Sequence, residues 1–165
     1  MDKDRFAMPS APVTEAEVRA ILSQDTSTDD PVEWWPKSDQ AWVEARLHVR
    51  HPQPHVNLSL IATVNRLAAH KFSFVLLLNG AHRIVGYDAN GSHINTHTDT
   101  NEWRMQTHEH RWTDACHGRW ACAPPAAPPA LREAFHSFCA RHGVRFTGKW
   151  SDPRPMQLDL GLEET

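Results

Sequence analysis

Hydrophobic and polar residues alternate most cleanly over residues 42–50, WVEARLHVR. Val43, Ala45, Leu47 and Val49 fall on one side; Glu44, Arg46, His48 and Arg50 fall on the other. A period of two is the signature of a half-buried strand. The segment 51–55, HPQPH, holds two prolines that cannot donate to a ladder and reads as a turn. Val56, Leu58, Leu60, Ala62 and Val64 then resume the alternation, so the two runs predict an antiparallel hairpin. A helix over 58–69 competes for the same residues, and the period of two favours the strand. Residues 72–78, FSFVLLL, are apolar on both faces, and Asn79-Gly80 supplies the pair that a type I′ turn demands. Residues 83–88, RIVGYD, return as the next strand. Pairing Leu78 with Ala81 sets Arg83 opposite Leu76, Ile84 opposite Val75 and Val85 opposite Phe74. Residues 89–92 read as a turn, 95–102 as a loop and 103–112 as a further strand.

Two helices flank this β-rich centre. Thr14 and Glu17 have capping-box spacing, and Val18, Ile21 and Leu22 follow as one short apolar stripe. After the proline-rich connector 121–129, Leu131, Ala134, Phe135, Phe138 and Cys139 recur at helical spacing over 130–142, and Gly143 stands where a left-handed cap belongs. Residues 144–146 suit a short edge strand, and 23–30 a polar loop. The predicted fold is α+β: a single domain over 14–148, with an antiparallel sheet of about five strands and one or two helices packed on it. Residues 1–13 and 149–165 read as tails. Helix 130–142 should cover one face, and the N-terminal helix an edge or the other face. Trp34 and Trp35, between prolines, read as a plug over one sheet edge, with an exposed partner-binding patch as the competing reading.

Composition changes this picture little. The chain has 165 residues, 40% hydrophobic and 22% charged, which is one globular core's worth. A net charge of −3 speaks against a generally basic nucleic-acid-binding surface, though not against a local basic groove. No apolar run is long enough to span a bilayer and no secretory leader is visible; with three cysteines, Cys116, Cys122 and Cys139, the expectation is a cytoplasmic protein with free thiols and no membrane contact.

The candidate chemistry lies in residues 93–120, which hold His93, His97, His108, His110 and His117. On a strand, His108, His110 and Trp112 share one face, with Glu109 and Arg111 on the other. Histidine titrates near neutral pH, so such a pair suits acid–base work, metal binding or a pH response. In a metal-independent phosphodiesterase, His93 and His110 would be the acid–base pair with His108 beside them, and Arg83, Arg104 or Arg111 would bind phosphate. Trp112 would line the substrate site. A metal would need a third ligand, from Asp99, Asp114, Cys116, His117 or Cys122, and no zinc spacing is present. A cysteine nucleophile has little support, because Cys116 and His117 are adjacent and point apart on a strand. His48, His51, His55, His70 and His82 read as ordinary surface or hydrogen-bonded residues.

The order Arg83-Ile-Val-Gly-Tyr-Asp88, Gly91, His93-Ile-Asn95, His108-Glu-His110-Arg-Trp112 and Trp120-Ala resembles a family of small bacterial proteins often encoded on phages and mobile elements. Those chains carry R-x-x-x-x-D, H-x-N-P-D-G and H-x-H-x-Y segments. The pattern is also similar to the TumE family of toxins from toxin–antitoxin systems. It covers residues 72–146, with Trp112 in place of tyrosine and Thr-His-Thr-Asp-Thr-Asn after Asn95 in place of Pro-Asp-Gly. The resemblance implies a small α+β toxin-like or defence-associated RNase, needing no cofactor, with RNA as substrate and an antitoxin or host protein as partner. The alternative class is a non-catalytic interaction module, such as an inhibitor of a host protein.

Overall fold

The computed structural model describes residues 13–94, 102–124 and 130–156. Its elements are α1 (Glu15–Leu22), β1 (Thr26–Thr28), β2 (Trp35–Pro36), β3 (Trp42–Val49), β4 (Leu58–Asn65), β5 (Phe72–Leu78), β6 (His82–Ile94), β7 (Glu102–Thr113), β8 (His117–Cys122), α2 (Leu131–Arg141) and β9 (Val144–Phe146). The fold is α+β, as expected. Its main antiparallel sheet has seven strands in chain order, β2 to β8, rather than about five. Two strands fall outside the expected set. β2 is a two-residue edge strand on β3, and β8 lies in HGRWAC, where alternation is too weak to read. A parallel pair, β1 with β9, forms a separate small sheet, so part of the polar loop expected over 23–30 is a strand.

Local rules explain most of this. Thr14 caps α1 by accepting from the Glu17 amide, while the Glu17 carboxylate accepts from the Thr14 amide, the reciprocal box. Residues 58–65 take the strand over the competing helix, because their even positions meet a ready apolar face on β3 and β5. Phe74 packs against Phe135, Phe138 and Tyr87, with ring centroids 5.6, 5.6 and 5.8 Å apart. Thus α2 covers the sheet face that carries Phe74 and Tyr87. Gly143, at φ +70°, lets the chain leave α2 beside the carbonyls of Leu22 and Gln24. The C-terminal ends of α1 and α2 are therefore neighbours, and α1 does not cover the opposite face.

Two further expectations change. The tryptophan pair divides: Trp34 packs edge-on to Trp150 and donates to the Ser151 carbonyl at 2.7 Å, whereas Trp35 is 66% exposed on edge strand β2. Trp150, placed by sequence in the C-terminal tail, also packs 5.2 Å from Phe135. Residues 149 and 150 thus belong to the packed unit.

The register of β5 and β6 slips at the turn. Ala81 N–H closes the turn onto the Leu78 carbonyl at 3.2 Å, with Asn79 and Gly80 both at positive φ. Pairing starts at Leu78 with His82, so Arg83 faces Leu77 and Val85 faces Leu76. Ile84 is the extra residue of a bulge, not Val75's partner. A bulge re-aims the side chains on one side of it. Here it puts Arg83 on the face of Gly86 and Asp88. Strand β6 also runs straight through residues 89–92, with Asn90 at φ +55° marking the irregularity that sequence reads as a turn.

Candidate functional site

Strand alternation puts His108 and His110 on one face of β7, as expected, and cross-strand pairing supplies what they face. Asp88 lies opposite His108, and Gly86 opposite His110. The missing Cβ atoms matter. A Cβ on Gly86 would lie 3.3 Å from that of His110, and one on Gly91 would lie 3.3 Å from His108 Cε1. The two rings sit 4.9 Å apart in an edge arrangement and are 0% and 2% exposed.

Both imidazoles bring Nε2 near one oxygen of Asp88. His110 Nε2 lies 2.8 Å from Asp88 Oδ2, and His108 Nε2 lies 3.4 Å from it. His108 Nδ1 is 2.9 Å from the Gln106 carbonyl, which can only accept, so that nitrogen donates. Arg83 Nη2 stands 3.3 Å from His110 Nδ1, and a guanidinium can only donate. His110 Nδ1 is therefore the acceptor, and its proton sits on Nε2, donated to Asp88. Arg83 Nε donates to the Gly118 carbonyl at 2.9 Å.

This wiring sets the two imidazoles apart in charge. Burial disfavours the charged form of each. For His108, the Asp88 carboxylate 3.4 Å away and the bond to the Gln106 carbonyl outweigh burial, and its pKa rises. For His110, burial and the Arg83 charge prevail over Asp88, and its pKa falls. Burial would raise Asp88, but its two imidazole partners hold it well below the usual carboxylate range. The consistent state is Asp88 anionic, His108 cationic and His110 neutral.

The same three groups offer metal-ligand atoms within 4.8 Å of one another. Two imidazoles and a carboxylate are a common ligand set. However, a ligating imidazole normally donates through its second nitrogen, whereas His110 Nδ1 meets the donor Arg83. The set closes better on protons than on a cation.

The other sequence candidates disperse. Arg111 lies on the opposite face, its side chain 61% exposed and 3.9 Å from Glu109. Trp112 joins the core, 5.0 Å from the stacked His117 ring and 5.7 Å from His82. His93 is on β6 opposite Trp103; its side chain, and that of Arg104, lie outside the described residues, as do Asn95, His97 and Asp99. Asp114 accepts from the Glu15 amide at 2.6 Å. Burial raises the pKa of the Cys122 thiol, which makes that candidate a poor nucleophile. Sequence reasoning gave Asp88 no role beyond a matched motif position, because nothing local says which strand lies beside β7.

Gly118 fixes Arg83 from the β8 side. A Cβ there would sit 2.0 Å from the Arg83 carbonyl oxygen, against backbone that cannot swing away. Gly118→Ala is expected to cost about 3 kcal/mol, the upper end for overpacking, and to shift the His110 imidazole resonances. Native-like denaturant midpoint and imidazole spectra would contradict this reading of the contact.

No protein family, curated protein or solved structure matched this chain. Fold and site alone define its class: an α+β protein with two buried imidazoles gathered on a half-buried carboxylate, on the sheet face opposite α2.

Proposed function

We propose that this protein is a small endoribonuclease-like enzyme, of the toxin or defence-effector kind, that cleaves phosphodiesters without a metal. What supports the reading is one geometric fact: two imidazoles converge on a single Asp88 oxygen, at 2.8 and 3.4 Å, and a guanidinium stands on the remaining nitrogen of one of them. Cleavage of RNA needs a base for the 2′-hydroxyl and an acid for the departing 5′-oxygen. His110, neutral and with its lone pair on Nδ1, is the base. It takes the 2′-hydroxyl proton as that oxygen attacks phosphorus. His108, held as imidazolium, gives its Nε2 proton to the leaving oxygen as the P–O bond breaks. Asp88 orients both rings, and Arg83 keeps His110 in the right tautomer. A cavity of about 280 Å³ lined by Trp42, Lys71, Ser73, Asn90 and Asp88 opens the Asp88 side of the cluster.

The test is cleavage of end-labelled single-stranded RNA by the purified protein in chelator. Expected products end in 2′,3′-cyclic phosphate, and the rate follows a bell-shaped pH profile. RNA left intact across varied sequences and pH would sink the proposal. The interaction-module reading keeps one specific support, the exposed Trp35 on an edge strand. A protein partner lost on Trp35→Ala but retained on His110→Gln would favour it.

A further inference from the structure

Beyond the imidazole cluster, on the other side of Arg83, lies a cavity of about 260 Å³ lined by Ala81, His82, Arg83, Trp112, His117, Gly118 and Arg119. Among the described residues its lining holds two guanidiniums and two imidazoles and no carboxylate. We infer that this cavity is a phosphate site, taking a phosphoryl group through Arg83 and Arg119. The inference uses the proposed reaction only to say why a phosphate would be held there; the site stands on its own lining.

Three observations carry it. The two arginines are close enough for Arg119 to bear on the charge of Arg83, a like-charge repulsion that a bound anion would relieve. Among the described residues, Arg119 makes no ion pair, so its charge is uncommitted. And the site is built rather than open: Gly118 presses on the Arg83 backbone, its carbonyl accepts from Arg83 Nε, and Trp112 and His117 stack 5.0 Å apart with planes 13° from parallel as one wall. Planar guanidiniums pair with phosphoryl oxygens in two-pronged fashion, which suits this ligand over a halide. All this sits in a chain of net charge −3, so the basic lining is a local feature.

Arg83 links the two sites, since it lines the cavity and touches His110. A phosphoryl oxygen that draws Nη2 away would leave His110 Nδ1 open for the 2′-hydroxyl.

Calorimetric titration of the full chain with inorganic phosphate, and separately with a short oligoribonucleotide, tests the site. Arg119 is exposed, so Arg119→Gln should leave the fold intact, as a thermal melt would check. Expected is phosphate binding to the native protein, weakened about tenfold or more by Arg119→Gln and restored in part by Arg119→Lys. Equal phosphate binding by native and Arg119→Gln proteins, or none by either, would overturn the inference. Tighter binding of the oligoribonucleotide, displaced by phosphate, identifies the source as an RNA backbone; phosphate binding without it identifies a free phosphoryl ligand. The two proposals fail separately. Arg119-dependent phosphate binding by a protein that cleaves no RNA removes only the nuclease reading. RNA cleavage with phosphate binding indifferent to Arg119 removes only this site.

Discussion

His110→Gln is expected to lower RNA cleavage by roughly 10²–10⁴-fold, the usual worth of a general base. Glutamine can still donate to Asp88 and accept from Arg83, the two contacts His110 makes at 2.8 and 3.3 Å, yet it has no nitrogen that titrates near neutrality. A structural role would therefore be largely spared, and the melting temperature should change little. The pH profile gives the second readout. His110 must be neutral and His108 charged, so activity rises above the lowered pKa of His110 and falls above the raised pKa of His108. Asp88→Asn removes the carboxylate that raises both, so both limbs should move to lower pH. The stability linkage has a definite sign. A His108 pKa raised by folding adds stability that is full below the unfolded value of about 6.5 and lost as pH rises through the folded value. Asp88→Asn should flatten that alkaline loss. An unchanged rate in His110→Gln, or fixed limbs in Asp88→Asn, would remove the imidazole pair from the chemistry.

Glu109→Leu is expected to destabilise the protein by about 3 kcal/mol, the cost of breaking a buried pair from one side. Glu109 is 2% exposed, and its carboxylate bonds the Arg141 guanidinium at the end of α2, with His142 Nε2 3.9 Å away. Burial alone would raise its pKa, but His142 and Arg141 bring it below the usual value. Arg141 also stands 5.9 Å over the Tyr87 ring, and its buried Nη2 has no hydrogen-bond partner among the described residues. Losing Glu109 leaves that guanidinium, 24% exposed, unpaired against the sheet. Glu109→Leu with Arg141→Met should recover most of the loss, since both charges go together. Denaturant midpoints measure this, and additive losses in the double variant would exclude the coupling. The folded pKa of Glu109 is depressed, so its contribution is present above about 4.3 and fades as pH falls toward the folded value.

Glu109 and His110 are neighbours in sequence that work on opposite faces of β7. That much is legible from HEH alone, because a strand's side chains must alternate. The same rule makes β3, β4 and β5 readable, since their apolar positions recur every second residue, and the period of 3.6 makes α2 readable. The Thr14 box and the Asn79-Gly80 turn are legible for a related reason: each is a local hydrogen-bond or φ requirement carried by two residue types.

What sequence could not give was partnership across strands. Asp88 becomes the centre of the site because pairing sets it opposite His108, twenty residues on, and no local pattern fixes that register. Arg83 reaches His110 because a bulge at Ile84 turns it over; simple alternation from the turn assigns it the wrong opposite residue. Arg111, equally basic and next to His110, is excluded by the same alternation that unites the histidines. Arg119 and β8 carried no periodic signal, and their role rests on the close approach of Gly118 to Arg83. The sequence by itself determined which residues of β3, β4, β5 and α2 are core and which two imidazoles face one way, because periodicity is a property of one element. Only the tertiary structure decided what those imidazoles meet, because register, bulges and backbone approach are properties of pairs of strands.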